Sequence, residues 1–350
     1  MAAERTLSER ELNRALLERQ LLLERAKLSL PKALERIGGL QAQYAPSMYI
    51  GLWSRLEGFE LEQLTRALTR RSVVQGTLMR MTIHLVSRGD YWPFAVAVRQ
   101  SRRRQWLRSR DPSERQISSA ARKVRKAIGD GSMTATELDE VLGERDGPIA
   151  VWRNGVGLWV DLVRVPPSGT WERRRADIYG VAEEWVGPEK TLSETAALAH
   201  LIRRYLRGFG PSSRKEVADY CGVGLEATDE ALRELRLRRF RAEDGAELVD
   251  LERAPLPDPD TPAPVRLLPT WDATLLAHAR RTGILPERHR SKVFSIKTPQ
   301  SVSTFLVDGV VAGTWKYEQG RVVTKPFGHL DAVARREVEA EAERLAELHV

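Results

Sequence analysis

The chain carries one cysteine, Cys221, in 350 residues. A single thiol excludes an intramolecular disulfide framework and every zinc or iron–sulfur site built on several cysteines, and it fits a reducing, cytoplasmic compartment. Long apolar runs are missing as well. No segment reaches the ~18 uninterrupted apolar residues of a membrane span, and the first twenty residues carry charges throughout, where a signal peptide needs an apolar core. A secreted or membrane-spanning protein is therefore not expected. The phosphate loop GxxxxGK[ST], the dinucleotide fingerprint GxGxxG, the zincin HExxH and the nucleophile elbow GxSxG are all absent, which weakens ATP, dinucleotide, metalloprotease and serine-hydrolase readings. The six histidines, at 84, 200, 278, 289, 329 and 349, never sit beside another ligand type at metal spacing. Neither a metal nor a cofactor is expected.

Lysine is scarce among the cations: ten of the 56 basic residues are Lys and 46 are Arg, within a net charge of +8. Such a surplus favours a polyanionic partner, because side chains that neutralise phosphates release condensed counterions. The Arg-rich ratio also follows from genome base composition, so charge alone leaves nucleic acid as one option of two.

A chain of this length accommodates two to three domains with a sizeable core. Three stretches repeat one theme of capped helix, short turn, second helix and then a strand or hairpin, which is the plan of a winged helix. Ser8 with Glu11, Thr134 with Glu137 and Ser213 with Glu216 are capping boxes. The segment VPPSGTWERRR reads as a wing, and so does RRFRAEDGAELVD, whose Asp244-Gly245 is a strong hairpin signal. The Pro-rich stretch Pro255 to Pro264 reads as a stiff linker. Beyond it lie a basic loop with Arg280, Arg281, Arg288 and Arg290, a hairpin turned at Asp308-Gly309, and a helix from about Leu330 to Leu348. The expected architecture is α+β, with three tandem winged-helix domains at 1–112, 113–190 and 191–254 and a C-terminal hairpin and helix region at 265–350.

Within the first of these, Pro31 opens a helix with Leu34, Ile37 and Leu40 on its apolar face, and Pro46 is expected to stop regular helix by Ala45. Gln41 and Gln43 fall just there. Side chains two apart point about 200° apart on a helix but share a face in extended chain, so a break at this point lets both amides face one cleft. By spacing alone they are equally two ordinary polar residues at a helix end. The segment MRMTIHLV alternates as a strand, with Arg80, Thr82 and His84 on one face. His84 there is a candidate for a phosphate or a water, or a core histidine, and Arg80 a candidate phosphate contact or a brace for a helix C-terminus. The run Arg102, Arg103, Arg104 reads as a solvated helix face or as a phosphate contact. Trp271 and Asp272 are placed to shape a cleft by packing rather than by catalysis.

The stretches LERIGGLQAQYAPSMYIGLWSRL, GTLMRMTIHLVS, YLRGFGPSSRKEVADYCGV, RLLPTWDATLLAHARR and FLVDGVVAGTW together resemble the AlkZ/AlkX (YcaQ-like) winged-helix DNA glycosylases, in the same order and over nearly the whole chain. The resemblance implies tandem winged helices in a C shape around a DNA-binding cleft, hydrolysis of N7-alkylated purine adducts including bulky lesions and crosslinks, and a catalytic signature Q-x-Q or Q-x-D. Gln41-Ala42-Gln43 matches the Q-x-Q form and makes both glutamines the catalytic candidates. Arg80, Thr82, His84 and Arg281 are then candidate DNA contacts. The expected partner is double-stranded DNA with alkylated bases, bound by a monomer without a membrane. Two other readings stay open at this stage. A winged-helix transcriptional regulator shares the basic charge and the wings, but lacks a reason for Q-A-Q at a proline-broken helix end and shows no dimerisation heptads. A protein that sequesters an alkylating agent would need large aromatic pockets, and aromatics are only 7% of the chain.

Overall fold

A computed structural model describes residues 4–108, 112–145, 147–189, 191–278, 283–294 and 301–349. Its first stretch holds β1 (Thr6–Leu7), α1 (Glu9–Arg19), α2 (Leu30–Ile37), β2 (Leu40–Gln41), α3 (Ala45–Trp53), α4 (Leu61–Thr69), β3 (Val73–Thr77), β4 (Ile83–Ser87) and α5 (Arg88–Arg108). Ser8 and Glu11 close a reciprocal capping box on α1, which satisfies amide donors that every helix N-terminus leaves unpaired. Next come α6 (Glu114–Ile128), β5 (Ser132–Thr134), α7 (Ala135–Leu142), α8 (Ile149–Val160), β6 (Leu162–Arg164), β7 (Ile178–Val181) and α9 (Ala182–Val186), with the box from Thr134 to Glu137 starting α7. The helices α10 (Glu194–Phe209), α11 (Arg214–Cys221) and α12 (Leu225–Arg233) then lead into the hairpin of β8 (Leu237–Ala242) and β9 (Glu247–Leu251). Gly245 turns that hairpin at φ 84°, a conformation that costs glycine little.

No helix or strand occupies residues 255–264. The final stretch comprises β10 (Arg266–Leu268), α13 (Arg290–Val293), β11 (Thr304–Val307), β12 (Val310–Glu318), β13 (Arg321–Pro326) and α14 (Ala332–Leu348). Its expected hairpin turns at Asp308 and Gly309, with φ of 47° and 76°; β13 has no counterpart among the expected strands.

Two local expectations are overturned. Pro46 does not stop a helix but lies in the first turn of α3, where its missing N–H has no helical partner to lose. What ends α2 is Gly38 in the left-handed conformation, φ 82°, followed by Gly39 at 85°. The strand expected from Met79 begins only at Ile83, because Met79–Met81 form a 3₁₀ turn with Arg80 and Met81 at φ 51° and 57°. Alternation cannot pass through such a turn, so Arg80 leaves the face that Thr82 and His84 share.

The described strands form three sheets: β1-β8-β9, β10-β11-β12-β13, and a six-stranded sheet in the order β2-β4-β3-β6-β7-β5. The largest crosses from the first stretch into the second through β3 and β6, where Gln75 pairs with Arg164 and Gly76 with Val163. Gly76 is needed at this seam, since a Cβ there would stand 2.6 Å from the Tyr91 ring of α5. One core gathers Leu17, Phe94, Ile202 and Tyr205 from α1, α5 and α10. A second packs Leu34 and Met48 of α2 and α3 against Leu267, Phe305 and Leu345, so the C-terminal sheet and α14 complete the core of the N-terminal helices.

Charged groups run between these cores. Arg19 of α1 donates to both Asp250 oxygens at 2.8 and 2.9 Å and to the carbonyls of Leu206 and Pro255. Arg55 likewise donates to both Asp272 oxygens, at 2.9 and 2.8 Å, and to the Gly51 carbonyl and the Thr274 hydroxyl. All four charged side chains are fully buried. Gln20, next to Arg19 in sequence, links the Arg55 pair to the backbone: its oxygen accepts from Arg55, and its amide donates to the carbonyls of Ile37 and Gly208. Burial alone would push the Asp272 carboxyl up, but the Arg55 guanidinium outweighs it and holds the group below its ordinary value.

Breaking one partner of a buried pair strands an unpaired charge, whereas replacing both with apolar groups removes the desolvation cost as well. Asp272→Ala is expected to destabilise the protein by about 3–5 kcal/mol in chemical denaturation. The double variant Arg55→Met with Asp272→Leu should lose less than that single change. Lys215→Ala, at the exposed pair with Asp219, should stay within about 0.5 kcal/mol of the parent.

Candidate functional site

Gln41 ends β2 and pairs with His84 of β4, and the next amide, of Ala42, donates to the Ile83 carbonyl at 2.7 Å. Antiparallel partners lie on one face and alternate residues share it. Gln41, His84 and Thr82 therefore project to one side, while Ala42 faces the other and is buried with Leu40 and Leu85. Gln41 thus closes a short strand and Gln43 lies at the bend after it, between two helices rather than at a helix end. Gln41 is 7% exposed and Gln43, beyond the last ladder bond, is exposed. Neither amide is hydrogen-bonded to another described residue.

Gln43 borders a cavity of about 320 Å³ whose wall includes Thr77, Thr82, Trp106, Asn154, Arg164 and Tyr179. One side comes from β3, β4 and α5, the other from α8, β6 and β7. The volume lies at the lower end of small-ligand sites, about 300–1,000 Å³, and far exceeds the share of one water. It is not the largest hollow in the molecule. A groove of about 760 Å³ between α11, α12 and the β8–β9 hairpin has Arg214, Lys215, Arg233 and Arg239 on its wall together with Asp229 and Glu247, and Arg214 there is paired with Asp229.

The other residues picked out by sequence divide. His84 is buried, and its Nδ1 lies 3.0 Å from the Thr82 carbonyl oxygen. A carbonyl only accepts, so Nδ1 carries the proton and Nε2 is the acceptor. Burial, reinforced by the charge on Arg80, pushes the imidazole down to about 3. The ring is therefore neutral at physiological pH and offers no charge to a phosphate. Arg80 has turned away from it: its guanidinium donates to the Tyr220 carbonyl at 3.2 Å and lies 4.8 Å over the Tyr220 ring. That contact sets a cation at the C-terminal end of α11, where the helix dipole favours one. Arg281 lies outside the described residues. Of the arginine run, Arg102 is buried against the Thr77 carbonyl and Asp161, and Arg103 donates to the Leu158 carbonyl and covers the Trp159 ring. Only Arg104 is exposed, so the run mainly braces α5 against α8. Asp272 is committed to Arg55 and is unavailable for acid–base work.

The fold also brings up residues that sequence patterns did not mark. The loop between β6 and β7 folds back so that Trp171 meets Tyr49 and His349 edge-on, at 5.6 and 5.0 Å. This carries Arg174 to the Tyr44 hydroxyl, 3.4 Å away, beside Gln43, with Arg175 largely exposed next to it. The WERRR sequence signals a basic loop, but not where the loop docks. Arg164 and Asn154 carry no sequence signal at all. Among the described residues no group of three or more His, Cys, Asp and Glu side chains is placed to hold a metal. No helix there is long and apolar enough to cross a membrane.

The neutral state of His84 has a measurable consequence. Unfolding restores an ordinary imidazole near 6.5, so between that value and about 3 the unfolded chain binds a proton that the native one refuses. The contribution is fully present above 6.5 and is lost as pH falls. His84→Gln should flatten the decline in stability between pH 7 and 5 by ~1–2 kcal/mol, read from denaturant midpoints at the two pH values. An unchanged slope would show that His84 protonates freely in the folded state.

No curated protein matches the sequence of this chain. Its structure is similar to that of the DNA glycosylase AlkZ of Streptomyces sahachiroi, with a TM-score of 0.82 and 19% sequence identity over 98% of this chain and 97% of the other. That likeness establishes a shared fold. The model of the AlkZ-like DNA glycosylases matches residues 34–348, a span that contains the glutamine segment and both walls of the cavity. The chain belongs to the AlkZ-like DNA glycosylase family.

Proposed function

We propose that this DNA glycosylase hydrolyses the N-glycosidic bond of N7-alkylated, cationic purines in double-stranded DNA, leaving an abasic site, and that Gln41 and Gln43 are its catalytic residues. The observation that carries the reading is the exposed, uncommitted amide of Gln43 at the mouth of a cavity of small-ligand size, on an extended segment clamped to β4. Most glycosidases use two carboxylates, one to protonate the leaving group and one to activate water or attack. An alkylated purine already carries its positive charge and leaves without a general acid. What remains is to position a water and to tolerate an oxocarbenium-like sugar. A glutamine oxygen accepts a hydrogen bond from that water, but an uncharged amide is no strong base. The pair therefore suits activated adducts and fails with ordinary bases. His84, neutral and on the same sheet face as Gln41, adds an acceptor rather than a charge.

Three helical units, each followed by a hairpin, act in this reading as winged helices that together present a concave, basic face to the duplex. The protein works as a monomer in the cytoplasm. Bulky adducts and crosslinks belong to its range because Gln43 stands at an open edge. Arg174 and Arg175, beside Tyr44, contact the phosphates that flank the lesion.

Replacing Gln41 or Gln43 by Ala is expected to leave folding and undamaged-duplex affinity nearly intact. Single-turnover release of N7-methylguanine should fall by about 10². Gln43→Asp, which supplies a true base on a shorter arm, should retain more activity than Gln43→Ala. Parental rates in both alanine variants would place the active site elsewhere. Affinity for random duplexes should drop steeply between about 50 and 200 mM salt, and Arg174→Ala should reduce that slope by about 1. Insensitivity to salt would argue against a binding face held by phosphate contacts.

A further inference from the structure

Arg164, on the last residue of β6, stands out in the cavity wall because nothing of opposite charge meets it. Its Nη1 donates to the Thr77 hydroxyl at 2.8 Å, and its guanidinium lies 4.9 Å over the Tyr179 ring. Its Nε is buried and has no hydrogen-bond partner. The neighbouring cavity arginine, Arg153, pairs with Asp139, whereas no described carboxylate lies within ion-pair distance of Arg164. The side chain is about nine-tenths buried. An arginine buried without a counter-ion is costly to keep, and donors left without a protein partner call for an acceptor from a ligand.

We propose that Arg164 is the residue that receives the departing base, its guanidinium hydrogen-bonding to the exocyclic O6 of an N7-alkylguanine held in this cavity. The inference rests on the glycosylase reading of Gln43, which borders the same cavity. When the glycosidic bond breaks, its electron pair passes to N9 of the purine. The ring falls from a charge of +1 to neutral. The sugar C1′ takes up the positive charge, then bonds to the oxygen of the water at the glutamines, and a proton is released to solvent. A fixed cation beside the base therefore opposes the ground state, where the purine is positive, and ceases to oppose it as the bond breaks. Hydrogen bonds from Arg164 strengthen over the same course, since O6 gains electron density. An interaction that improves between ground state and transition state raises the rate without tightening substrate binding. Tyr179 and Trp106 supply the apolar and π surface against which a planar base rests.

The test uses a duplex with one N7-methylguanine under single-turnover conditions. Arg164→Gln keeps a donor for Thr77 but removes the charge, and it should slow base release about tenfold or more while binding the lesion duplex as well as the parent does, or better. Arg164→Lys restores the charge and should recover most of the rate. Independently of any variant, the parent should be inhibited more strongly by free neutral 7-methylguanine than by the permanently cationic 7,9-dimethylguaninium ion. Equal or reversed inhibition overturns the proposal even if Arg164→Gln does not fold. A folded Arg164→Gln with parental rate overturns it as well. So does a loss of rate matched by loss of binding that lysine does not rescue, which would mark Arg164 as packing. If the parent itself releases no base, the reading of Gln43 falls and this inference with it. If the parent is active and Arg164→Gln matches it, only this inference falls.

Discussion

The bidentate ion pairs of Arg19 with Asp250 and Arg55 with Asp272 are the joints of this molecule. Each spans more than 200 positions of sequence. One fastens α1 to the hairpin of β8 and β9, and the other fastens the end of α3 to the residues just after β10. Two charges that leave water completely must recover several kcal/mol each through geometry, and the double forks with their added carbonyl and hydroxyl partners are the arrangement that does so. Gln20 sits between them with both ends of its amide in use. Apolar cores alone would permit these layers to slide; the forks fix their register, because a shift of one residue would leave a guanidinium unpaired.

That register reaches the glutamines through a short path. The Gln20 amide holds the Ile37 carbonyl at the last turn of α2, and the chain then reverses through two left-handed glycines. Gly38 lies against Phe209 and the backbone of Arg204, and Gly39 against the Leu85 carbonyl, each at 3.1–3.3 Å from where a Cβ would be. The extended segment 40–43 can follow α2 this closely because these two positions carry no side chain. Its ladder to β4 then sets which way Gln41 points. The site is therefore built from the interior outward, and its uncommitted amides are the last groups in a chain of fully bonded ones.

Much of the secondary structure was legible from sequence because its determinants are local. Capping boxes at Ser8, Thr134 and Ser213, and turns at Asp244-Gly245 and Asp308-Gly309, need only neighbours within a few residues. The glutamine pair was marked as a candidate by family resemblance and not by spacing, which fitted a helix end as well. Errors arose where one residue has two local meanings. Pro46 both ends and begins helices, and its role was decided by Gly38 and Gly39 having already ended the previous one. Met79 to Val86 alternates in apolarity, yet Arg80 and Met81 adopt left-handed φ because Arg80 is drawn to the end of α11, a contact 140 positions away. Membership of the glycosylase family sets aside the regulator as an account of the chain. Arg164 was invisible in sequence because an arginine next to a strand has no distinguishing pattern; only the absence of a neighbouring carboxylate sets it apart.

The six-stranded sheet that crosses from β3 to β6 has a consequence for how such an enzyme diversifies. Continuous backbone pairing ties the stretch that carries the glutamines to the stretch that carries α8, β6 and β7, so the two walls of the cavity are joined through one sheet. At the same time its two walls belong to different parts of the gene. Substitutions in residues 149–181 alter one wall of the cavity without touching the segment 41–43, to which the proposed reaction assigns the water. Under the proposed reaction, selectivity and reactivity then rest on separate stretches of the chain, and one wall can be remodelled while the glutamine segment stays as inherited.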